Sequence, residues 1–374
     1  MAAKKEKSKA KVVSDKEVIE KLEGVGKQIL KQIEKGQNPN YALPVRTLNN
    51  IYFDQKSRTI KLGDKMSERT FLNVAHARKF MQTMLVASEI KEVIEQKATV
   101  SIRDLYYALK HTIAGTNENT FENQSESDPL IEDIESSLDL LREELHLAAS
   151  AKGIIAGDMK LKDGKDLIDL NKMGSGGWSV PSNVEPSQIE IKDINAEYIL
   201  FIEKDAVWRR FNEDRFWQKN DCIIITGRGQ AARGERRMVQ RLNKEYGLPV
   251  FALMDADPWG MYIYSVIKQG SISLSYSEEK LATPETKYIG LTTKDVEKFK
   301  IPKEVTIKLN ALDVKRLNEM KNYEWFKKKE WQEEFSNMKE KGYKLELEAL
   351  SKKGIRFITE TYLPEKIKSK DFLP

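Results

Sequence analysis

The chain is poor in cysteine and histidine. One Cys (Cys222) and three scattered His (His76, His111, His146) occur in 374 residues. A single thiol excludes an intramolecular disulfide, and these residues offer no zinc-type ligand spacing. A metal, if used, falls to carboxylates. Long apolar runs are missing too. The longest, YILFI (198–202) and CIIIT (222–226), fall far short of the roughly 20 residues that a membrane helix needs. The opening MAAKKEKSKAKVVSDK lacks the apolar middle of a secretion signal, so a cytoplasmic protein with no membrane partner is expected. No GxxxxGK[ST] loop occurs, and no dinucleotide fingerprint follows a strand, so any use of ATP requires another chain.

What is present is a mixed composition, 40% hydrophobic and 32% charged, with a net charge of +5. The length suits about two or three domains, each with its own core. The mild basic excess permits a polyanionic partner without requiring one.

The chain divides by rhythm. Residues 1 to about 20 are Lys-rich and read as a disordered basic tail. Residues 50–64 alternate around a polar turn and predict a hairpin. Periodicity predicts a helix over 66–96, with Ser67 and Glu68 as start signals, and another over 129–149. Between them lie the short helix discussed next and a polar loop, 115–128. Residues 152–170 read as strand, turn, strand. Helix, turn, helix and hairpin is the order of a winged-helix DNA-binding module. From about residue 193, apolar strands (197–204, 222–226, 248–255) alternate with helices (205–218, 232–247, 258–270). That alternation implies right-handed crossovers and a parallel sheet. The expected class is α/β plus α+β. The expected division is an N-terminal tail and arm (1–65), a winged-helix part (66–192) and an α/β part (193–374) with a charged helical extension (321–354).

The stretch SIRDLYYALKHT (101–112) sets a specific question, because two tyrosines stand side by side. Ser101 and Asp104 have capping-box spacing. Ile102, Leu105, Tyr106 and Leu109 then form one apolar stripe, which predicts that Tyr106 packs. Tyr107 lies about 100° further round and shares its face with Arg103, Lys110 and His111. Cations there favour a phenolate and attract phosphate. The bland alternative is that both rings are structural.

A second candidate lies at strand ends. Glu203 ends the first strand of the α/β part; Asp255 and Asp257, in MDADPWG (254–260), end the third. Parallel sheets put working residues at carboxyl ends of strands, and three oxygen ligands suit Mg²⁺. Taken singly, each acid has an ordinary explanation: Asp257 precedes Pro258 as a helix cap, and Glu203 is a surface acid beside Lys204. Between these acids, ITGRGQAARGERR (225–237) offers Arg228, Arg233, Arg236 and Arg237 to a phosphate backbone.

RDLYY (103–107), IEKDAVW (202–208), TGRGQ (226–230), DADPWG (255–260) and KQGS (268–271) occur in an order that resembles the A-type subunit of topoisomerase VI, in a family that includes the meiotic enzymes making double-strand DNA breaks. The resemblance runs from about residue 66 to TETYLPEKI (359–367). It implies a winged-helix (CAP-like) domain bearing the catalytic tyrosine, followed by a Toprim domain with a Rossmann-like parallel sheet. The nucleophile maps to Tyr107, with Arg103 assisting, and the Mg²⁺ ligands to Glu203, Asp255 and Asp257. Relatives often carry proline and an acid where this chain has Ala231 and Ala232, so the turn is given no catalytic role.

The resemblance further implies a nucleoid-associated homodimer that cleaves duplex DNA and joins a B-type ATPase subunit to make an A₂B₂ type II topoisomerase. Lys110 and the four arginines are expected DNA contacts. Two rival readings stand: a Toprim-type nuclease or primase without a covalent intermediate, and a non-catalytic winged-helix DNA-binding protein.

Overall fold

The computed structural model describes residues 13–374. Most of the expected basic tail lies outside the described residues. Its end is not a tail: Asp15 opens helix α1 (Asp15–Glu34), capped by the Ser14 side chain, which accepts the Glu17 N–H. The chain separates into two compact units. The first takes the chain up to Tyr52, Lys61–Ser150 and Ile272–Ser277; the second takes Phe53–Ile60, Ala151–Ser271 and Glu278–Pro374. Among the described residues no helix is long and apolar enough to cross a membrane.

In the first unit, strand β1 (Asn40–Pro44) follows α1. The hairpin expected within 50–64 forms from β2 (Ile51–Asp54) and β3 (Thr59–Leu62), its Phe53–Ile60 portion counted with the second unit. The helix expected from residue 66 starts later. Met66–Thr70 is strand β4, antiparallel to β1 with Tyr41 opposite Arg69. Helix α2 (Val74–Glu95) begins only where the Asn73 side chain accepts the Ala75 N–H. Asn is an effective N-cap, whereas Ser67 and Glu68 lie inside the β-ladder. Two-residue strand β5 (Val100–Ser101) leads into α3 (Ile102–Leu109).

Helix α4 (Asp128–Leu138) is shorter than its periodicity predicts. Asp139 adopts a left-handed conformation, φ 50°, and ends it. The Glu135 and Glu144 carboxylates then accept the Arg142 and Leu141 N–H groups, holding a non-helical turn. Leu141 and Leu145 stay buried; the four-residue spacing of these leucines reports burial rather than a continued helix. Strand β6 (Leu147–Ala148) runs parallel to β5. Val86, Ile90, Leu105, Tyr106 and Ile131 share this unit's core.

The second unit holds strands β7 (Ile154–Ala156), β8 (Met159–Asp163), β9 (Asp166–Asp169), β10 (Trp178–Ser179) and β11 (Ile189–Ile194). The β8–β9 hairpin, expected as the wing of the helical module, pairs instead with β11 in an antiparallel three-stranded sheet within the second unit. Alternation in sequence specifies a hairpin but not which sheet receives it.

Then come β12 (Tyr198–Ile202), α5 (Asp205–Glu213), α6 (Phe216–Lys219), β13 (Cys222–Thr226), α7 (Arg233–Tyr246), β14 (Val250–Leu253), α8 (Pro258–Lys268) and β15 (Lys287–Tyr288). These strands, with β7 and β10, form a six-stranded sheet in the order β10-β7-β13-β12-β14-β15. The four strands from β13 to β15 are mutually parallel, as the alternation predicts; β7 is antiparallel to β13, and β10 is antiparallel to β7. Strand β12 lies centrally, with Ile202 opposite both Thr226 and Leu253. Strands Ile199–Ile202 and Ile223–Ile225 are wholly buried, as expected of a sheet covered on both faces. Of the charged stretch 321–354, Lys329–Lys341 is α-helical and ends at left-handed Gly342. The chain beyond it returns to the carboxyl ends of the strands, where Leu345 N–H donates to Ala256 O.

Candidate active site

Helix α3 has the capping box expected from Ser101 and Asp104: the serine hydroxyl accepts the Asp104 N–H, and the aspartate accepts the Ser101 N–H. Ile102, Leu105, Tyr106 and Leu109 are its buried residues. The two tyrosines part company. Tyr106 is 7% exposed and donates its hydroxyl to Glu122 O at 3.0 Å. Tyr107 is 60% exposed. Their rings are tilted against one another with centroids 5.1 Å apart, so the buried ring supports the exposed one. Arg103 is exposed on the same helix. The Lys110 ammonium donates to the Tyr106 hydroxyl and to Glu122 O, each at 3.0 Å. This lysine thus holds the buried tyrosine while remaining exposed and within electrostatic reach of Tyr107.

At the carboxyl ends of β12 and β14, the ladder continues one step beyond the strands, with Glu203 N–H donating to Leu253 O at 3.1 Å. Glu203 Oε2 accepts the Asp255 N–H at 3.0 Å. Asp255 Oδ1 accepts the Leu347 N–H at 2.7 Å, and its Oδ2 faces Lys204 Nζ at 2.9 Å. Asp257 caps α8, accepting the Gly260 N–H at 2.6 Å, so its ordinary role is real. The three acids form one electrostatic cluster. Burial, and next the charge of Asp255, push the Glu203 carboxyl up to about 8. Burial pushes Asp255 up to about 6 against the pull of Lys204 and the Leu347 N–H. Burial also raises Asp257, opposed by the Gly260 N–H.

Among the described residues, no group of three or more His, Cys, Asp or Glu side chains is arranged to hold a metal ion as it stands. Each acid is engaged by a protein donor. The donor set nevertheless suits a hard divalent cation: all oxygen, crowded, and carrying more negative charge than its surroundings balance. Gly260 makes room for it, since a Cβ there would sit 2.8 Å from Glu203 Oε2 and 2.9 Å from Asp255 O.

The arginines of 225–237 divide sharply. Arg228 is 42% exposed, left-handed at φ 53° between two glycines, and ion-paired with Asp205 at 3.3 Å. Its N–H donates to Thr226 Oγ1, whose hydroxyl donates to Glu203 O, so the turn is pinned to the acidic strand end. Arg233 is the first residue of α7. Arg236 is not available to DNA. It is 2% exposed and pairs with Glu278, itself buried. Arg237 grips both oxygens of Glu185 at 2.7 Å and is 12% exposed. Helical spacing put both among the cations of a surface, but α7 is buried on more than one face.

Sequence reasoning passed over Lys204, Glu346 and Glu348, which meet at Asp255. Lys204 adjoins Glu203, but nothing local marks the two glutamates. It also passed over Arg316, whose guanidinium lies 4.6 Å from the ring centroids of both Trp259 and Tyr262 in α8.

Three family profiles match successive parts of the chain. "Type IIB DNA topoisomerase" covers residues 78–147, and "All-beta domain in DNA topoisomerase VI alpha subunit" covers 152–195. The third, which describes the Toprim domain of the A-type subunit of topoisomerase 6 and of Spo11, covers 198–367. Along its whole length, over 385 aligned residues, the chain is 46% identical to the A-type subunit of type 2 DNA topoisomerase 6 from Pyrococcus abyssi, covering 100% of both proteins. The chain belongs to the family of topoisomerase 6 A-type subunits. A plant member, the A-type subunit of DNA topoisomerase 6 from Arabidopsis thaliana, is 33% identical over 94% of this chain and 80% of its own length. The exposed tyrosine falls in the first profile and all three acids fall in the Toprim match. The antiparallel β11-β8-β9 sheet coincides with the all-β match.

Proposed function

We propose that this chain is the DNA breakage and rejoining subunit of a type II topoisomerase, with Tyr107 as nucleophile. The observation that carries the assignment is the split between adjacent tyrosines: Tyr106 is buried and hydrogen-bonded, while Tyr107 presents its phenol to solvent. The Tyr107 oxygen attacks a backbone phosphorus of duplex DNA. The bond from phosphorus to the 3′ oxygen breaks, leaving a 3′ hydroxyl and a 5′-phosphotyrosyl ester. Because the ester keeps the energy of the broken bond, the same hydroxyl reverses the step without ATP. Arg103, exposed one turn before Tyr107, binds the attacked phosphate and balances its charge.

Glu203, Asp255 and Asp257 are the residues that would hold a divalent cation, Mg²⁺ in this reading. Bound there, Mg²⁺ supplies positive charge against the phosphate oxygens. Arg228 adds a phosphate contact from the adjoining turn.

The helical module carrying α3 acts as a winged helix that seats the tyrosine against DNA, its boundary lying near Ser150. The residues beyond it form the all-β segment and a Toprim module with a Rossmann-like parallel sheet. Two tyrosines are needed to cut two strands, which implies a two-fold homodimer. A B-type ATPase subunit completes an A₂B₂ enzyme, working on nucleoid DNA in the cytoplasm.

The test uses labelled duplex, Mg²⁺, this chain and the ATPase subunit, stopped with denaturant. Label should stay attached to wild-type protein and to Tyr106→Phe, and be lost with Tyr107→Phe, with Asp255→Asn or on chelation. Hydrolysed DNA with no attached protein would support a Toprim nuclease instead. Bound but intact DNA would leave only a binding protein.

A further inference from the structure

Asp255 is 2% exposed, and its carboxylate has a resident cation. Lys204 Nζ lies 2.9 Å from Asp255 Oδ2, and 3.0 Å from a carboxylate oxygen of Glu346 and of Glu348. An ammonium has three N–H donors, so these three acids saturate it. The glutamates are held in place. Leu345 N–H donates to Ala256 O at 3.0 Å and Leu347 N–H to Asp255 Oδ1 at 2.7 Å. Two backbone hydrogen bonds thus stitch 345–348 along the acid loop, presenting Glu346 and Glu348 on its open side, 46% and 44% exposed.

We infer that Lys204 is a built-in counter-cation for Asp255, and that it moves wholly onto Glu346 and Glu348 when a divalent cation takes the acid. A buried carboxylate needs a partner when no metal is bound. An ammonium and a divalent ion at one carboxylate oxygen repel strongly. The lysine stem is long and flexible, and two acceptors are already in contact, so the ammonium can leave Asp255 without losing its ion pairs. Lys204 is thereby a positioning residue that sets how tightly the acids take metal. The glutamates act through it and are not ligands themselves.

The inference rests on the reading that Glu203, Asp255 and Asp257 hold a divalent cation, and the test separates the two. The full chain is titrated with Mn²⁺, free ion is followed by electron paramagnetic resonance, and the metal-free thermal midpoint is recorded. Lys204→Met and Lys204→Gln should each bind Mn²⁺ more tightly, by about tenfold or more, while their metal-free midpoints fall. Glu346→Gln with Glu348→Gln should weaken Mn²⁺ binding several-fold when Lys204 is present and leave it unchanged in the Lys204→Met background. Either of two results overturns the inference: no tightening in both Lys204 variants, or equal weakening by the glutamate pair with and without the lysine. If wild-type Mn²⁺ binding survives Asp255→Asn with Asp257→Asn, the assignment of the acids fails, and this inference with it.

Discussion

Tyr106→Phe and Tyr107→Phe should produce opposite phenotypes, and the structure sets the size of each. The Tyr106 hydroxyl makes two hydrogen bonds, donating to Glu122 O and accepting from Lys110 Nζ. A typical intramolecular hydrogen bond contributes about 0.5–1.5 kcal/mol net. Losing both does not strand the carbonyl, because Lys110 also donates to Glu122 O. Tyr106→Phe should therefore cost about 1–2 kcal/mol, lowering the thermal midpoint by roughly 3–6 °C for a unit of this size. The phenol of Tyr107 is exposed, so Tyr107→Phe should stay within about 0.5 kcal/mol of wild type. Covalent attachment to DNA should behave the other way. Tyr107→Phe should fall to background, and Tyr106→Phe should retain attachment at a temperature below its own melting transition. The assay pairs denaturant melts of the purified chain with denaturant-stopped cleavage in the presence of the ATPase subunit. A stable, active Tyr107→Phe variant would refute the reasoning. So would a Tyr106→Phe variant that is fully stable and inactive.

Other residues give sharp expectations. Gly260→Ala would place a methyl 2.8 Å from Glu203 Oε2; displacing that acid should lower cleavage by roughly tenfold to a hundredfold, read as initial rates against Mg²⁺. Arg236→Ala would leave buried Glu278 with only the charge of Arg233 and the Ser271 N–H to balance it and should cost about 3 kcal/mol in denaturant unfolding. Lys268 is a buried amine, and burial, followed by the nearby Lys328 charge, pulls it down from 10.5 to about 7. The folded state then binds fewer protons than the unfolded chain between those values, so stability rises with pH across that window, and the penalty is complete below it. The Tyr264 hydroxyl also donates to Thr286 O, the acceptor of Lys268, so Lys268→Met leaves that carbonyl bonded. Between pH 10 and pH 6 the variant should gain on wild type by about 5 kcal/mol. A pH-independent difference in denaturant midpoints would contradict this.

Local signals were legible where one element decides the outcome. Ser101 and Asp104 announced the α3 cap, and period-four spacing separated Tyr106 from Tyr107. Strand-helix alternation announced the parallel sheet. The failures share a cause, which is that tertiary contacts reuse patterns already familiar from local structure. Ser67 and Glu68 looked like a helix start but pair with β1. Leu141 and Leu145 kept helical spacing and burial while lying outside any helix. Arg236 and Arg237 looked like surface cations, yet Glu278 and Glu185, distant in sequence, claim them. Glu346 and Glu348 carried no signal at all, because their meaning comes only from Lys204 and Asp255.

Strand β12 lies centrally, with Ile202 opposite Leu253. What brings Glu203 next to Asp255 is thus adjacency across the sheet and not any count of residues along the chain. Lengthening the outer connections between α5 and β14, at Gly247 for instance, should be tolerated. One residue inserted within β12 would turn Glu203 toward the opposite side. The grammar of this centre is written across strands, and descendants of the fold are free to edit the intervening text as long as that single alignment survives.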